Sequence, residues 1–485
     1  MKEKSRSIST NFIYNFVRTF AGTIFPVITF SYSSRILGAE GIGKLSFSKS
    51  IISYFSLFAM LGIHHYGTRE VAKLRNDRRQ LSKFAQEMLI LNGVTTLLAY
   101  CALAITISVS VMLQQYTVLL WITSLSIFFM AMGMEWLYQG LEEYRYISLR
   151  SITFQIIAVS IMLLTVRDKS DLAAYAIVSL VASSGSYILN FWNCRKYIDV
   201  RCFGQYDLQR HMKPILWLFA FTISVELYTV LDSTMLGLIK GDRAVGIYSA
   251  AVKVNKMTNA LISSLGTVLL PRLSYYLVSE EMEKIRTLIC KAYNFVFMLS
   301  IPACVGLCIL SDSIILLFSG QDFETAGITM RILTLIVLII PFNTLTTNQL
   351  FIAMNKEKKI LHATLTGAGI NFACNLVMIP RWAENGAAVA TVLAEAGVMC
   401  VCFYHVRKMM NLRTVFQRYY QYWIAAASII AIHFVVSLLD LHYLLEIVFT
   451  VSGSALCYFF ILYRFKNEYF LMAAAVVKRK LDHEK

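Results

Sequence analysis

Long apolar runs separated by short polar connectors fill this chain from end to end. Fourteen runs approach or exceed the ~20 residues that a helix needs to cross the hydrocarbon core of a bilayer. They fall near 11–33, 45–66, 84–110, 115–139, 146–166, 171–193, 214–239, 245–270, 288–311, 325–352, 358–379, 386–406, 419–438 and 443–463. The longest connectors, 67–83, 194–213 and 271–287, cannot hold a separate soluble catalytic domain. The pattern predicts an all-α integral membrane protein of about 14 transmembrane helices.

Composition agrees. Hydrophobic residues make up 57% of the 485 positions and charged residues 15%, against roughly 25% charge in a soluble domain. The net charge of +16 does not point to nucleic acid, because the basic residues lie between apolar runs. They report orientation instead. With the N-terminus in the cytoplasm, and five cations nearer the run ends (Arg150, Lys291, Arg331, Lys358 and Lys359) counted with the adjoining connectors, 33 of the 45 Lys and Arg fall on the cytoplasmic side and eight outside, so both termini are expected in the cytoplasm. Ten cysteines are scattered without a CxxC pair and read as apolar packing residues. The first run lacks a small-x-small exit and reads as a retained helix, not a cleaved signal.

The remaining four cations, Arg18, Lys49, Lys253 and Lys256, sit inside apolar runs. A central Arg or Lys costs ~2.5–3.5 kcal/mol on insertion scales and usually faces a bundle interior or a wet cavity. Helical spacing puts each on a polar stripe: Asn11, Asn15, Arg18, Gly22 and Thr29; Ser46, Lys49, Ser53 and Ser56; Ser249, Lys253, Lys256 and Ser263. Three readings follow. The stripes line a cationic aqueous cavity; the cations pair with Glu226, Asp232 or Glu395 as interhelical glue; or their stems snorkel to the interface. Those acids are the candidates for counter-charge or for coupling to Na+ or H+. Glu87 and Glu135, near span ends, are expected to be solvated. His362 reads as a hydrogen-bonded core histidine.

A weak internal repeat organises the spans. Leu37-Gly38, Gly43, Ser46, Lys49 and Arg69 are echoed by Leu236-Gly237, Gly246, Ser249, Lys253 and Arg272. Both copies begin on an odd-numbered helix, which makes the repeat parallel. The expected architecture is two pseudo-symmetric six-helix lobes around a central cavity, 1–200 and 201–412, with 413–485 carrying two C-terminal helices and a basic cytoplasmic tail. Pro26, Pro302 and Pro341 lie well inside spans and are expected to bend them.

Gly38 to Lys44 matches the GxxxxGK phosphate-loop spacing, but Leu45 follows where Ser or Thr should hold magnesium, and no strand precedes it. HExxH, GxSxG and DxD signatures are absent, so neither a catalytic centre nor a resident cofactor or metal is expected.

Asp232-Ser-Thr-Met-Leu-Gly237 through Gly246-Ile-Tyr248-Ser-Ala-Ala, the fourth-helix exit Trp136-Leu-Tyr-Gln-Gly140 with Leu-Glu-Glu-Tyr-Arg145 after it, and Asn371, Pro380, Gly386-Ala-Ala388 and Glu395 together resemble bacterial polysaccharide-unit flippases. The resemblance covers nearly the whole chain and implies the multidrug/oligosaccharidyl-lipid/polysaccharide exporter superfamily. It implies transfer of undecaprenyl-diphosphate-linked repeat units, for O-antigen or capsule, from the inner to the outer leaflet of the bacterial cell membrane. It also implies a lipid-linked oligosaccharide substrate, contact with membrane lipids, and a polysaccharide polymerase and chain-length regulator as partners. In the related lipid II flippases, basic residues on helices one, two and eight line a central cavity, and Arg18, Lys49 and Lys253 occupy comparable places, with Lys256 as an auxiliary. A cation-coupled multidrug antiporter of the same fold would favour twelve helices and an acidic or neutral cavity. A membrane-embedded polymerase or glycosyltransferase would need a long outer loop with catalytic acids or arginines.

Overall fold

A computed structural model describes residues 8–199, 204, 206–264, 276, 282–354, 356–408 and 419–472. Arg272 of the repeat and the tail after 472 lie outside them, as do the side chains of Asn11, Asn15 and Glu226.

Single residues make the sharpest breaks. Helix α1, Ile8–Met60, runs 53 residues, about 80 Å at 1.5 Å per residue, far more than one bilayer core. It is broken once, at Gly38, with φ 69° and ψ −179°. Only glycine adopts that backbone without a steric cost. The segment expected as an outer connector, 34–44, is therefore helical on both sides of the break. Glu40 and Lys44, 2.8 Å apart at i,i+4, support its second half. After Met60, Leu61 (φ 42°) and Gly62 (φ 78°) turn the chain into the amphipathic helix α2, Ile63–Leu74.

In the first unit there follow α3 (Arg78–Val109), α4 (Val111–Gln114), α5 (Thr117–Gly133), α6 (Glu135–Gly140), α7 (Tyr144–Thr165), α8 (Leu172–Leu180), α9 (Tyr187–Asn193) and α10 (Gln209–Lys240). Helix α11, Asp242–Ser264, starts after Gly241. The second unit continues with α12 (Met282–Ile309), α13 (Ser311–Ser319), α14 (Ala326–Leu333), α15 (Ile336–Thr344), α16 (Glu357–Val406), α17 (Tyr419–Ser437) and α18 (Tyr443–Arg464). Helix α16 breaks at Ala383, φ 47°. With α1 and α16 divided at their breaks, the apolar helices match the expected spans in order. Among the described residues eight helices satisfy length and hydropathy for crossing a membrane, or nine with the bent pair α14–α15. The chain is a multi-pass, all-α membrane protein.

Two compact units divide it, Met1–Gly246 and Ile247–Lys485. In the first, α1 packs on α3, α5, α7 and α10, and α2 packs on α6. The Trp136–Gly140 segment owes its close fit to small residues. A Cβ at Gly67 would stand 2.8 Å from the Trp136 ring, and one at Gly140 would stand 2.6 Å from Val71. Glu87 is not solvated at the start of its span. Its side chain is 0% exposed, with Arg210 at 2.6 Å and His211 at 2.9 Å, while the Asp207 N–H donates to it at 2.9 Å. Asp207, Arg210 and His211 lie against the first turns of α3 and cover the carboxylate, a contact no local pattern announces.

In the second unit α12 packs on α15 and α17, and α17 on α18. Tyr458 donates to the Met298 carbonyl at 2.8 Å, and Tyr293 stacks on Phe342 at 4.7 Å. Glu395 is buried and accepts from Asn343 Nδ2 at 2.8 Å.

The backbone also shifts the register of the repeat. Gly38 and Gly241 share one conformation, φ 69° and 85° with ψ near 180°, at the head of a following helix. These glycines stand 203 residues apart, as do Ala39 and Asp242, Gly43 and Gly246, and Ser46 and Ser249. The contacts are reciprocal: a Cβ on Gly43 would lie 1.8 Å from the Asp242 carbonyl oxygen, and one on Gly246 would lie 1.9 Å from that of Ala39. Gly38 thus corresponds to Gly241, not Gly237. In this register Lys253 corresponds to Ser50 and Lys256 to Ser53, so Lys49 and Lys253 are one residue, about 100° of helix, out of step.

Candidate functional site

The stretch of α1 after Gly38 presents Lys49, Ser53 and Ser56 on one face, at i, i+4 and i+7. In the first unit they line a cavity of about 530 Å³, within the roughly 300–1,000 Å³ usual for ligand sites. His64 and His65 enter from the start of α2, Thr123 and Ser126 from α5, and Tyr187 from α9. Ser183 and Ser184 come from Val181–Gly185, where one turn widens to π geometry between α8 and α9. Such widened turns recur at functional sites because they re-aim side chains without ending the helix. Lys49 is exposed to this space and its ammonium donates to Ser179 Oγ. Eight hydroxyl-bearing and three nitrogen-bearing side chains share a mostly apolar wall with Ile52, Leu57, Met60, Met130, Ala176 and Leu180; the polar set is a chemistry suited to an anion carrying hydroxyl groups.

A second constellation adjoins it. The chain reverses at Met134 (φ 40°), which ends α5 and starts α6 on Glu135. Arg18 Nη1 lies 2.8 Å from Glu135 Oε1, and Arg150 Nη2 lies 3.6 Å from Oε2. Gln139 Nε2 is 3.3 Å from Oε1. Tyr187 links this constellation to the cavity, since its side chain lines the cavity and its ring packs on the Arg150 guanidinium. The Arg150 side chain is 2% exposed. It donates to the Ser186 carbonyl at 3.2 Å, and its guanidinium lies 5.2 Å from the Tyr187 ring centroid. Glu135, expected to be solvated at a span end, is a largely enclosed anion shared between two arginines. The break at Met134 draws it inward.

The residues predicted from sequence divide accordingly. Lys49 with Ser53 and Ser56 forms a cavity wall, and Arg18 stands beside that wall on Glu135. Lys253, half-buried, and Lys256, exposed, lie on α11 in the second unit. Asp232 is buried on α10, near Thr234, which bonds Tyr54 at 3.1 Å and Ser50 at 3.0 Å. Glu226 falls on α10 with its side chain outside the described residues. His362 is exposed, not a core histidine, and Thr366 bonds its backbone carbonyl at 2.8 Å. Arg150, His64, His65 and Tyr187 were not legible as site residues. The one available signal was Arg150 itself, a cation one turn inside an apolar run.

Comparison with known proteins accords with this fold. The sequence model of the family described as "Polysaccharide biosynthesis protein" matches residues 8–277, and that of MatE matches 218–377. The chain is similar to a putative O-antigen transporter of Shigella dysenteriae, 22% identical over 387 residues, covering 79% of this chain and 95% of the relative. It is also similar to a putative O-antigen transporter of Escherichia coli (strain K12), 20% identical over 412 residues, covering 84% and 98%. Among solved structures, the lipid II flippase MurJ in its inward closed conformation superposes with a TM-score of 0.73 at 16% identity, covering 94% of this chain and 99% of that one. That likeness speaks for the fold. With more than half of its length matched by the family's sequence model, this multi-pass all-α chain belongs to the polysaccharide biosynthesis protein family.

Proposed function

We propose that this protein is a flippase that moves undecaprenyl-diphosphate-linked oligosaccharide repeat units from the cytoplasmic to the outer leaflet of the bacterial cell membrane. Both termini lie in the cytoplasm, and the product serves cell-surface polysaccharide synthesis. The carrying observation is the cavity of about 530 Å³ walled by Lys49, two histidines and a set of Ser and Thr hydroxyls, with Arg18 beside it. The transporters and flippases similar to this chain support the same reading.

In this mechanism no covalent bond changes. Arg18 engages the diphosphate with a fork of hydrogen bonds and Lys49 as a point charge. Serine and threonine hydroxyls contact the sugars, and the polyprenyl tail stays in lipid. Lys253 and Lys256 on α11 remain members of the proposed cationic set. Alternating access then exposes the head group outside. A ligand drives such a change only through unequal affinity for the two states, so direction comes from an ion gradient or from consumption of the product. Glu226, Asp232 and Glu395 are the carboxylates available to couple Na+ or H+. A polymerase and a chain-length regulator are the partners that would take the flipped unit.

Charge reversal tests the site: Arg18→Glu, Lys49→Glu and Lys253→Glu in turn, with surface polysaccharide assayed at matched membrane protein level. Each is expected to lower export at least about tenfold, the effect of ~1.4 kcal/mol at one site. Unchanged export in all three would sink the cationic site. The MatE match over 218–377 supports a second reading, a cation-coupled drug antiporter. That reading requires drug resistance, and not polysaccharide, to change in the same variants.

A further inference from the structure

We infer that Glu135 is the resident counter-ion of this site, an internal anion that occupies Arg18 until the substrate's diphosphate displaces it. The inference rests on the flippase reading and names how its cation is gated.

The asymmetry of the two arginines carries the argument. Arg150 is fixed: its side chain is 2% exposed, with the Ser186 carbonyl at 3.2 Å and the Tyr146 and Tyr187 rings at 5.8 and 5.2 Å. Arg18 is accessible, with 28% of its side chain exposed. Glu135 bridges them at 3.6 and 2.8 Å. A buried carboxylate with a single partner would be left uncompensated when that partner moved, which is strongly unfavourable. Here Arg150 stays with Glu135 when Arg18 leaves, which lowers the cost of the exchange. Tyr187 lines the cavity and packs its ring on Arg150, so the exchange takes place beside the cavity wall. The same pairing keeps Arg18 neutralised in an empty site, where a bare guanidinium among apolar helices would be costly. Glu135 is thus a positioning and competing residue, not a ligand of the substrate.

The consequence is an affinity lower than the arginine alone would give. If Arg18 is free about one-tenth of the time, apparent anion affinity falls about tenfold. Removing the carboxylate restores it, a change opposite in sign to the loss of a scaffold residue.

The full-length protein in nanodiscs is titrated with inorganic pyrophosphate by calorimetry at low and high salt. Glu135→Gln is expected to bind at least about tenfold tighter than wild type, and Arg18→Gln weaker. The double variant E135Q/R150M removes both buried charges together, so it carries the test if Glu135→Gln fails to fold; tighter binding is expected there too. Binding equal to or weaker than wild type in a folded variant of either kind overturns the counter-ion and leaves the flippase reading standing. No pyrophosphate binding by wild type or variants, with export unaffected by Arg18→Gln, overturns both.

Discussion

Glu87→Ala is the sharpest test of the packing in the first unit. The carboxylate is 0% exposed and holds three partners: Arg210 at 2.6 Å, His211 at 2.9 Å and the Asp207 N–H at 2.9 Å. Truncation leaves the Asp207 N–H without its acceptor, about 1 kcal/mol. It leaves His211, whose side chain is 4% exposed, short of a partner, another ~1–3 kcal/mol. Arg210 is 49% exposed and rehydrates, so it adds at most ~1 kcal/mol. The expected loss is about 3 kcal/mol, in line with breaking a buried pair from one side. Glu87→Gln keeps an acceptor for Asp207 and nearly the same volume, so it should lose about half as much. Equilibrium unfolding in mixed detergent–SDS micelles, followed by tryptophan fluorescence, reads both. The double variant Glu87→Leu with His211→Leu should recover only part of the loss: the histidine is no longer left short of a partner, but the Asp207 N–H still lacks its acceptor and the Tyr66 hydroxyl loses His211 at 2.8 Å. A Glu87→Ala protein within ~0.5 kcal/mol of wild type would refute the reasoning and return Glu87 to the solvated role its position in the span suggests.

Gly43→Ala and Gly246→Ala each drive a Cβ to within 2 Å of a backbone carbonyl oxygen; both should destabilise by about 1–3 kcal/mol in the same assay. Gly93→Ala, whose Cβ meets nothing within 4 Å, should instead gain ~0.5–1 kcal/mol as a helix interior alanine. Burial holds the Asp242 carboxyl above the ordinary aspartate range, against the opposing hydrogen bond from Tyr116. Because its folded value is raised, its contribution is fully present below the unfolded value and is lost as pH rises through the folded one. Asp242→Asn, which retains an acceptor for the Tyr116 hydroxyl, should flatten stability measured across the weakly acidic range. An unchanged slope would show that Asp242 does not titrate differently on folding.

Much of this protein is local, and its residue order states it directly. Apolar run lengths set the spans, Lys and Arg bias sets the expected orientation, and the 3.6-residue period alone puts Lys49, Ser53 and Ser56 on one face. These follow from transfer of side chains into lipid and from helix geometry, which depend on nearby residues alone. The register of the repeat needed the backbone, because Gly38 and Gly241 are matched by a shared φ and ψ and not by their apolar neighbours. The charge pairings needed the packing. Arg18 and Glu135 are 117 residues apart, and Glu87 and His211 are 124 apart. Hydropathy can mark a carboxylate as misplaced in an apolar run, but it cannot say which cation reaches it. Only the assembly of α1, α6, α7 and α9 placed Glu135 between a fixed arginine and an accessible one, because an ion pair is decided by distance in space and not by order along the chain.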